Sequence, residues 1–343
     1  MLLRLSCPIA RSLSLSLSGI RQSSDFRIRV LMVRENLHSS RRRMHANFRL
    51  CNVSGYTTEL LEIHAQDPSL HVLFVPGNPG VVTFYKDFVE SLYELLGGSA
   101  SITAIGYISH TKKDWEHGNS FSLQDQIDHK VGFIKDELQN IKVPIILVGH
   151  SIGSYVSIEM FKHFGQVIYC IGLYPFLAVN TESWKQSMIG KIAVSPFICV
   201  ALSSVVALLG FLPSWALKFL VKKSLGNSWS ATAVEATCTH LLQYHCMRNM
   251  LFMGMTEFKK LSETPDWEFM RGKQGQIAFL FGIDDHWGPL SMFEEISKQA
   301  PDICLSIEKE GHTHAFCCTE AGSVWVAQHV ASLIETQKLA STQ

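Results

Sequence analysis

Val143-Pro144-Ile145-Ile146-Leu147-Val148-Gly149-His150-Ser151-Ile152-Gly153-Ser154-Tyr155-Val156-Ser157-Ile158-Glu159-Met160-Phe161-Lys162 sets out a strand, a turn and a helix in one unbroken run. The six leading residues are apolar enough for a buried strand, and from Ser154 the apolar residues recur at helical spacing. Between them stands Gly-x-Ser-x-Gly. A turn that tight puts the serine in a strained backbone conformation, and small residues two before and two after it avoid clashes. The serine oxygen then stands clear of the sheet edge, with the first helical amides directed at any anion formed there. Glycine-serine pairs also occur by chance in loops, so it is the flanking strand and helix that give this pattern its meaning.

A serine hydroxyl is a poor nucleophile at neutral pH and needs a base, oriented in turn by an acid. The chain supplies both in the order serine, acid, histidine that an α/β-hydrolase uses. The apolar run Gln276–Phe281 leads into Gly282-Ile283-Asp284-Asp285-His286-Trp287-Gly288-Pro289. Asp285, three residues after Gly282, is the expected acid and Asp284 the alternative, one of the pair being free to cap a helix starting near Pro289. Ile303–Glu308 alternates like a strand and opens onto Glu310-Gly311-His312-Thr313-His314-Ala315-Phe316. His314 is the expected base and His312 the alternative. A His-x-His pair can also bind metal, but its neighbours lack ligand spacing and Cys317-Cys318 is no Cys-x-x-Cys hook, so neither metal nor cofactor is expected. The oxyanion needs two donors. One is the backbone amide of Ile152, directly after the nucleophile, and the other is assigned to the Asn78 amide. Asn78 lies in Pro76-Gly77-Asn78-Pro79-Gly80, a loop that follows the apolar run Val72–Val75 and lets backbone approach a substrate closely.

Taken together, Pro76–Gly80 with Phe84-Tyr85, Gln126-Ile127-Asp128-His129-Lys130, the Gly149–Tyr155 run, Tyr174-Pro175-Phe176, the Gly282–Trp287 stretch and His314-Ala315-Phe316 resemble the lipid-droplet-associated hydrolases, in the form of a plant-like member. The resemblance runs over about residues 48–336. It implies an α/β-hydrolase fold with a mostly parallel sheet, helices on both faces and an inserted helical cap. It also implies Ser151 as nucleophile, Asp285 as acid and His314 as base, acting on neutral-lipid or sterol esters at lipid-droplet or endoplasmic-reticulum surfaces. Many relatives have proline directly after the acid, where this chain has His286.

The 343 residues are 47% hydrophobic and 17% charged, rich in apolar and poor in charged residues for a globular protein. Zero net charge conceals an asymmetry: residues 1–49 hold ten Arg, no Lys and two acids, leaving twenty basic against twenty-eight acidic residues elsewhere. An acidic body argues against a nucleic-acid partner. Nine cysteines without paired spacing argue for a reducing compartment. Residues 1–47 read as a leader, transit-like or disordered. Its Arg- and Ser-rich composition would direct the chain to a mitochondrion or plastid if residues 1–43 act as a transit peptide, and Met44 is the alternative start. The hydrolase domain is expected over 48–343.

Strand alternation stops after Phe176 and resumes at Gln276, so 177–270 reads as the inserted apolar cap. Residues 192–217 contain no charge, yet Pro196 and Pro213 bracket too short a run for a simple span. Three states are open: cap core, an interfacial helix or hairpin with Trp215 and Trp229 at the water boundary and Lys218, Lys222 and Lys223 at the headgroups, or a spanning segment. His240 and His245 could line a cap pocket. The expected activity is a serine esterase of lipid esters whose cap meets a membrane or droplet surface. Alternatives are a catalytically idle droplet-organising protein, and a thioesterase or acyltransferase on the same triad.

Overall fold

The computed structural model describes residues 44–225 and 228–341. The expectations attached to residues 1–43, a transit peptide among them, fall outside that range. The first strand begins at Asn47, one residue inside the stretch read as leader.

Continuous apolar runs become the inner strands because a parallel sheet is covered on both faces and shows water neither side. In chain order the elements are β1 (Asn47–Val53), β2 (Tyr56–Ile63), β3 (Leu70–Val75), α1 (Lys86–Leu95), β4 (Ala100–Ile105), α2 (Leu123–Glu137), β5 (Ile145–His150), α3 (Ile152–Phe161) and β6 (Val167–Leu173). Helices α4 (Trp184–Val194), α5 (Pro196–Leu209), α6 (Ser214–Leu225), α7 (Ala231–Ala236), α8 (Tyr244–Lys260) and α9 (Trp267–Gly272) follow. The chain closes with β7 (Ile277–Gly282), α10 (Leu290–Gln299), β8 (Cys304–Glu308) and α11 (Glu320–Ser341). One eight-stranded sheet runs β1-β2-β4-β3-β5-β6-β7-β8. Strands β3 to β8 are mutually parallel, and β2 joins β4 antiparallel, with β1 outside it.

Two cores result. Phe88, Val89 and Leu92 of α1 with Val326, Val330 and Ile334 of α11 cover one face. Phe133 and Ile134 of α2, Val156 and Met160 of α3 and Ile296 of α10 cover the other. Helix α2 starts where the sequence signals it. Ser122 Oγ accepts from the Asp125 amide and the Ser122 amide donates to Asp125 Oδ2, closing a reciprocal cap.

Strand order places the site. From β3 the chain steps outward to β4, then returns past β3 to β5, so the loops after β3 and β5 part at a topological switch point. Val75 is registered with Gly149, which sets the Pro76–Gly80 loop directly beside Ser151.

Among the described residues, 177–270 is helix and connecting loop only. Helices α4 and α5 meet at 92° across Ser195-Pro196, and no single helix is long and apolar enough to cross a membrane, though this bent pair passes on length and composition. Most of the apolar run faces outward. Only Cys199 and Ser203 of α5 are buried, while Phe197 is 88% exposed, Phe211 84% and Trp215 77%.

Candidate active site

Ser151 sits between β5 and α3 at φ 55°, ψ −123°, a region that non-glycine residues avoid. The surrounding contacts explain how the strain is held. The Ser151 amide donates to the Leu173 carbonyl at 2.9 Å, and its carbonyl accepts from the Phe176 amide at 3.2 Å. A Cβ at Gly149 would lie 2.2 Å from the Gly153 carbonyl oxygen, and one at Gly153 would lie 2.3 Å from the Val75 carbonyl oxygen. Both glycines are thus required by backbone contact, not merely favoured by the turn.

The loops after β7 and β8 converge on this serine. His314 Nδ1 donates to Asp285 Oδ2 at 2.7 Å, leaving Nε2 free to take a proton. Asp285 is buried, and its other oxygen accepts from the Trp287 amide at 2.9 Å. Both carboxylate oxygens are therefore engaged. Asp284 is exposed, and the cap position before α10 is filled by Pro289 with no side-chain bond, so neither aspartate caps that helix. His312 packs its ring on Trp325 at 5.6 Å and lies away from the serine's cavities.

Helix α3 starts at Ile152, so its amide has no carbonyl one turn back within the helix to bond. On the facing loop, a Cβ at Gly77 would come within 3.1 Å of Ser151 Cβ, tight enough that the serine would have to give by a few tenths of an ångström. Asn78 follows and borders both cavities that Ser151 borders.

One residue not anticipated from sequence ties these loops together. The Gly77 amide donates to Tyr85 Oη at 3.0 Å, so the tyrosine hydroxyl donates to His150 Nδ1 at 2.7 Å. His150 Nε2 then carries the proton and donates to the His314 carbonyl at 2.9 Å. Burial and, next, charge on His314 push His150 well below the usual imidazole range, so it stays neutral beside His314. The Pro76–Gly80 loop, the turn at Ser151 and the loop carrying His314 thus share one chain of hydrogen bonds.

A second network backs the Pro76–Gly80 loop from behind. Tyr107 Oη donates to the Pro76 carbonyl at 2.9 Å, and the Gly80 amide donates to His110 Nδ1 at 2.8 Å. Lys130 Nζ donates to the Gly106 carbonyl at 2.7 Å and to His129 Nδ1 at 3.2 Å, and lies 4.3 Å from the Tyr107 ring centroid. Burial pulls Lys130 well below the ordinary lysine range. Gln126 both accepts from and donates to the backbone of Ile108. Gln126, His129 and Lys130 therefore support the loop and border neither cavity.

Two cavities of about 200 Å³ each open on Ser151, Asn78 and His314. The first is bounded by Phe84, Trp229, Leu241 and Cys317. The second is bounded by Phe176, Met250, Phe258, Trp287 and Glu257. Trp229, expected at a water boundary, instead meets Phe84 edge-on at 6.4 Å. His240 Nε2 pairs with Glu59 at 3.0 Å and His245 Nε2 with the Thr111 carbonyl at 2.8 Å, so neither borders these cavities.

A sequence model of the lipid-droplet associated hydrolase family matches residues 68–317. The lipid droplet-associated hydrolase of Gallus gallus is 29% identical over 268 residues, 73% of this chain and 80% of its own length. Among solved structures, a haloalkane dehalogenase from Bradyrhizobium elkani superposes with a TM-score of 0.65 at 14% identity, covering 86% of this chain and 99% of the dehalogenase. A soluble variant of monoglyceride lipase from Saccharomyces cerevisiae gives 0.59 at 13% identity, covering 86% of this chain and 96% of the lipase. These two likenesses establish the α/β-hydrolase fold.

Proposed function

The chain belongs to the lipid-droplet associated hydrolase family, and from that premise we propose that it is a serine hydrolase of neutral-lipid or sterol esters, working at the surface of lipid droplets or endoplasmic reticulum. The observation that carries this reading is the 2.7 Å bond from His314 to Asp285 on the two cavities that the strained Ser151 also borders. In the proposed reaction Ser151 attacks the ester carbonyl while His314 Nε2 takes its proton. Asp285 fixes the tautomer and offsets the charge on the ring. The Ile152 and Asn78 amides receive the oxyanion, each worth about 2.7–4 kcal/mol to the transition state. The same His314 proton goes to the departing alcohol, and a water attacking the acyl-serine releases the acid. No metal or cofactor enters this scheme.

A fluorophosphonate probe tests the assignment directly. Wild-type protein is expected to be labelled at Ser151 and Ser151→Ala to remain unlabelled. Equal labelling of the two would remove Ser151 from the role. A wild type that binds droplets yet takes no label would favour a droplet-organising protein with an idle site.

The exposed run supports action at a lipid surface. Val200, Val205 and Leu209 of α5 are 41%, 57% and 44% exposed. Burying such faces in lipid returns about 25 cal/mol per Å² of apolar area. Lys222 and Lys223 of α6 are exposed nearby in sequence, as headgroup contact requires. Replacing Val200, Val205 and Leu209 together by Asp is expected to release the protein from droplets in a flotation assay while hydrolysis of a short soluble ester persists. Because these side chains face outward, no unpaired charge is buried. Unchanged flotation would refute the anchoring role, and parallel loss of soluble-ester activity would show a packed one.

A further inference from the structure

Glu257 projects from the last turn of α8 into the second cavity, in a wall otherwise built of Phe176, Met250, Phe258 and Trp287. It is 5% exposed. Asn78 Nδ2 donates to Glu257 Oε1 at 3.0 Å and to the Met250 carbonyl at 2.9 Å, so the carboxyl stands one side chain away from the proposed oxyanion donor. Among the described residues its second oxygen, Oε2, bonds no protein group. The polar groups that face it are the Asn78 carboxamide, the Tyr107 hydroxyl and, across the cavity, His314. No basic side chain from α8 or the facing loops pairs with it. Desolvation pushes its carboxyl up to about 8, against a smaller opposing effect of the Asn78 bond. That direction favours the protonated acid at neutral pH, and since Oε1 accepts from Asn78 the proton is assigned to Oε2.

Few polar groups in an apolar pocket serve to fix a ligand's orientation. We infer that the cavity carrying Glu257 receives the alcohol side of a glycerol ester, the Glu257 hydroxyl donating to a second substrate oxygen close to the scissile bond. The location near the oxyanion loop sets the chemistry. A plain fatty acyl chain carries no oxygen near its carboxyl carbon, and a steryl alcohol carries none beyond the ester itself. Glycerol carries one on each carbon adjacent to the ester, as a free hydroxyl or a second ester. The first cavity, bounded by Phe84, Trp229 and Leu241, is then left for the acyl chain. This inference rests on the serine-hydrolase reading above and narrows its substrate class.

Competing hydrolysis of 1-oleoylglycerol and propyl oleate in the same detergent micelles tests it, since the two differ at the alcohol. The readout is the ratio of kcat/KM values in wild type, Glu257→Gln and Glu257→Leu. Gln keeps a donor and the acceptor for Asn78, so its ratio is expected to match wild type at pH 7. Leu removes both, and the ratio is expected to fall three- to tenfold, roughly what one neutral buried hydrogen bond supplies. In wild type the ratio should also decline as pH rises through about 8, where Glu257 loses its proton. It should stay flat in Glu257→Gln. A merely structural role would lower both esters together and leave the ratio and its pH profile unmoved. An unchanged ratio in Glu257→Leu would overturn the inference. If Leu fails to fold, a pH-independent wild-type ratio would overturn it equally. Turnover of propyl oleate without any ratio effect leaves the hydrolase reading standing, whereas failure of wild type on both esters would remove that reading as well.

Discussion

His314→Ala is expected to lower kcat on a short ester by about 10⁴-fold or more, because a triad acts as a unit and its base is used in both halves of the reaction. Asp285→Asn should cost a similar factor. An asparagine can accept from His314 or donate to it, and the second arrangement moves the imidazole proton to Nε2, where a base must have a lone pair. The flanking candidates give the contrast. Asp284 is exposed, and His312 contributes a ring contact with Trp325, so Asp284→Asn and His312→Ala should stay near wild type. Steady-state kinetics on the four variants decide the matter. A severe loss in His312→Ala with a mild one in His314→Ala would reverse the assignment of the base.

Alanine at Gly149 or Gly153 should be nearly as damaging, and by a different route. The new Cβ would meet backbone carbonyl groups at 2.2–2.4 Å, and backbone on both sides leaves nothing flexible to yield. Overpacking of this kind is worth about 3 kcal/mol or more, roughly 5–10 °C in Tm for a domain of this size. Activity should fall with stability because the strained serine lies between the two positions. Gly275→Ala is the control, since a Cβ there meets nothing within 4 Å. Differential scanning calorimetry would expose a wrong reading of the turn if Gly153→Ala melted with the wild type.

The parts of the fold legible in sequence were those where one physical rule dominates. Val72–Val75 and Ile145–Val148 must be inner strands because an uninterrupted apolar run fits only a sheet covered on both faces, and they are. Ser122 and Asp125 foretold the start of α2 because a reciprocal cap is a purely local bargain between side chain and backbone. The choice between Asp284 and Asp285 was not local. It turns on which carboxylate β7 directs inward, and alternation fixes that only once the strand end is known. Glu257 was invisible for the same kind of reason. In Tyr244–Lys260 it reads as one more polar position on a helix, and its burial is decided by how that helix docks over Asn78. The uncharged run 192–217 carried no period to say which side faces water. The 92° bend at Ser195-Pro196 and the outward Phe197 and Phe211 had to be seen. Trp229 likewise turned inward onto Phe84, a partner some 145 positions away along the chain.

The ladder of Gln126, His129 and Lys130 behind the Pro76–Gly80 loop has a bearing on how kinship is read across genomes. These residues belong to the stretches on which the chain resembles its family, yet they brace Gly106, Tyr107 and Ile108 and border neither cavity. A duplicated gene that had lost Ser151 or Asp285 would still need every one of them to fold, since a buried lysine stripped of its acceptors is costly in any copy, active or not. The residues that brace the fold and the side chains proposed to cleave esters are therefore under separate pressures. A census of descendants by the former would count silent copies with working ones, and on the proposed mechanism the trio of Ser151, Asp285 and His314 sorts them.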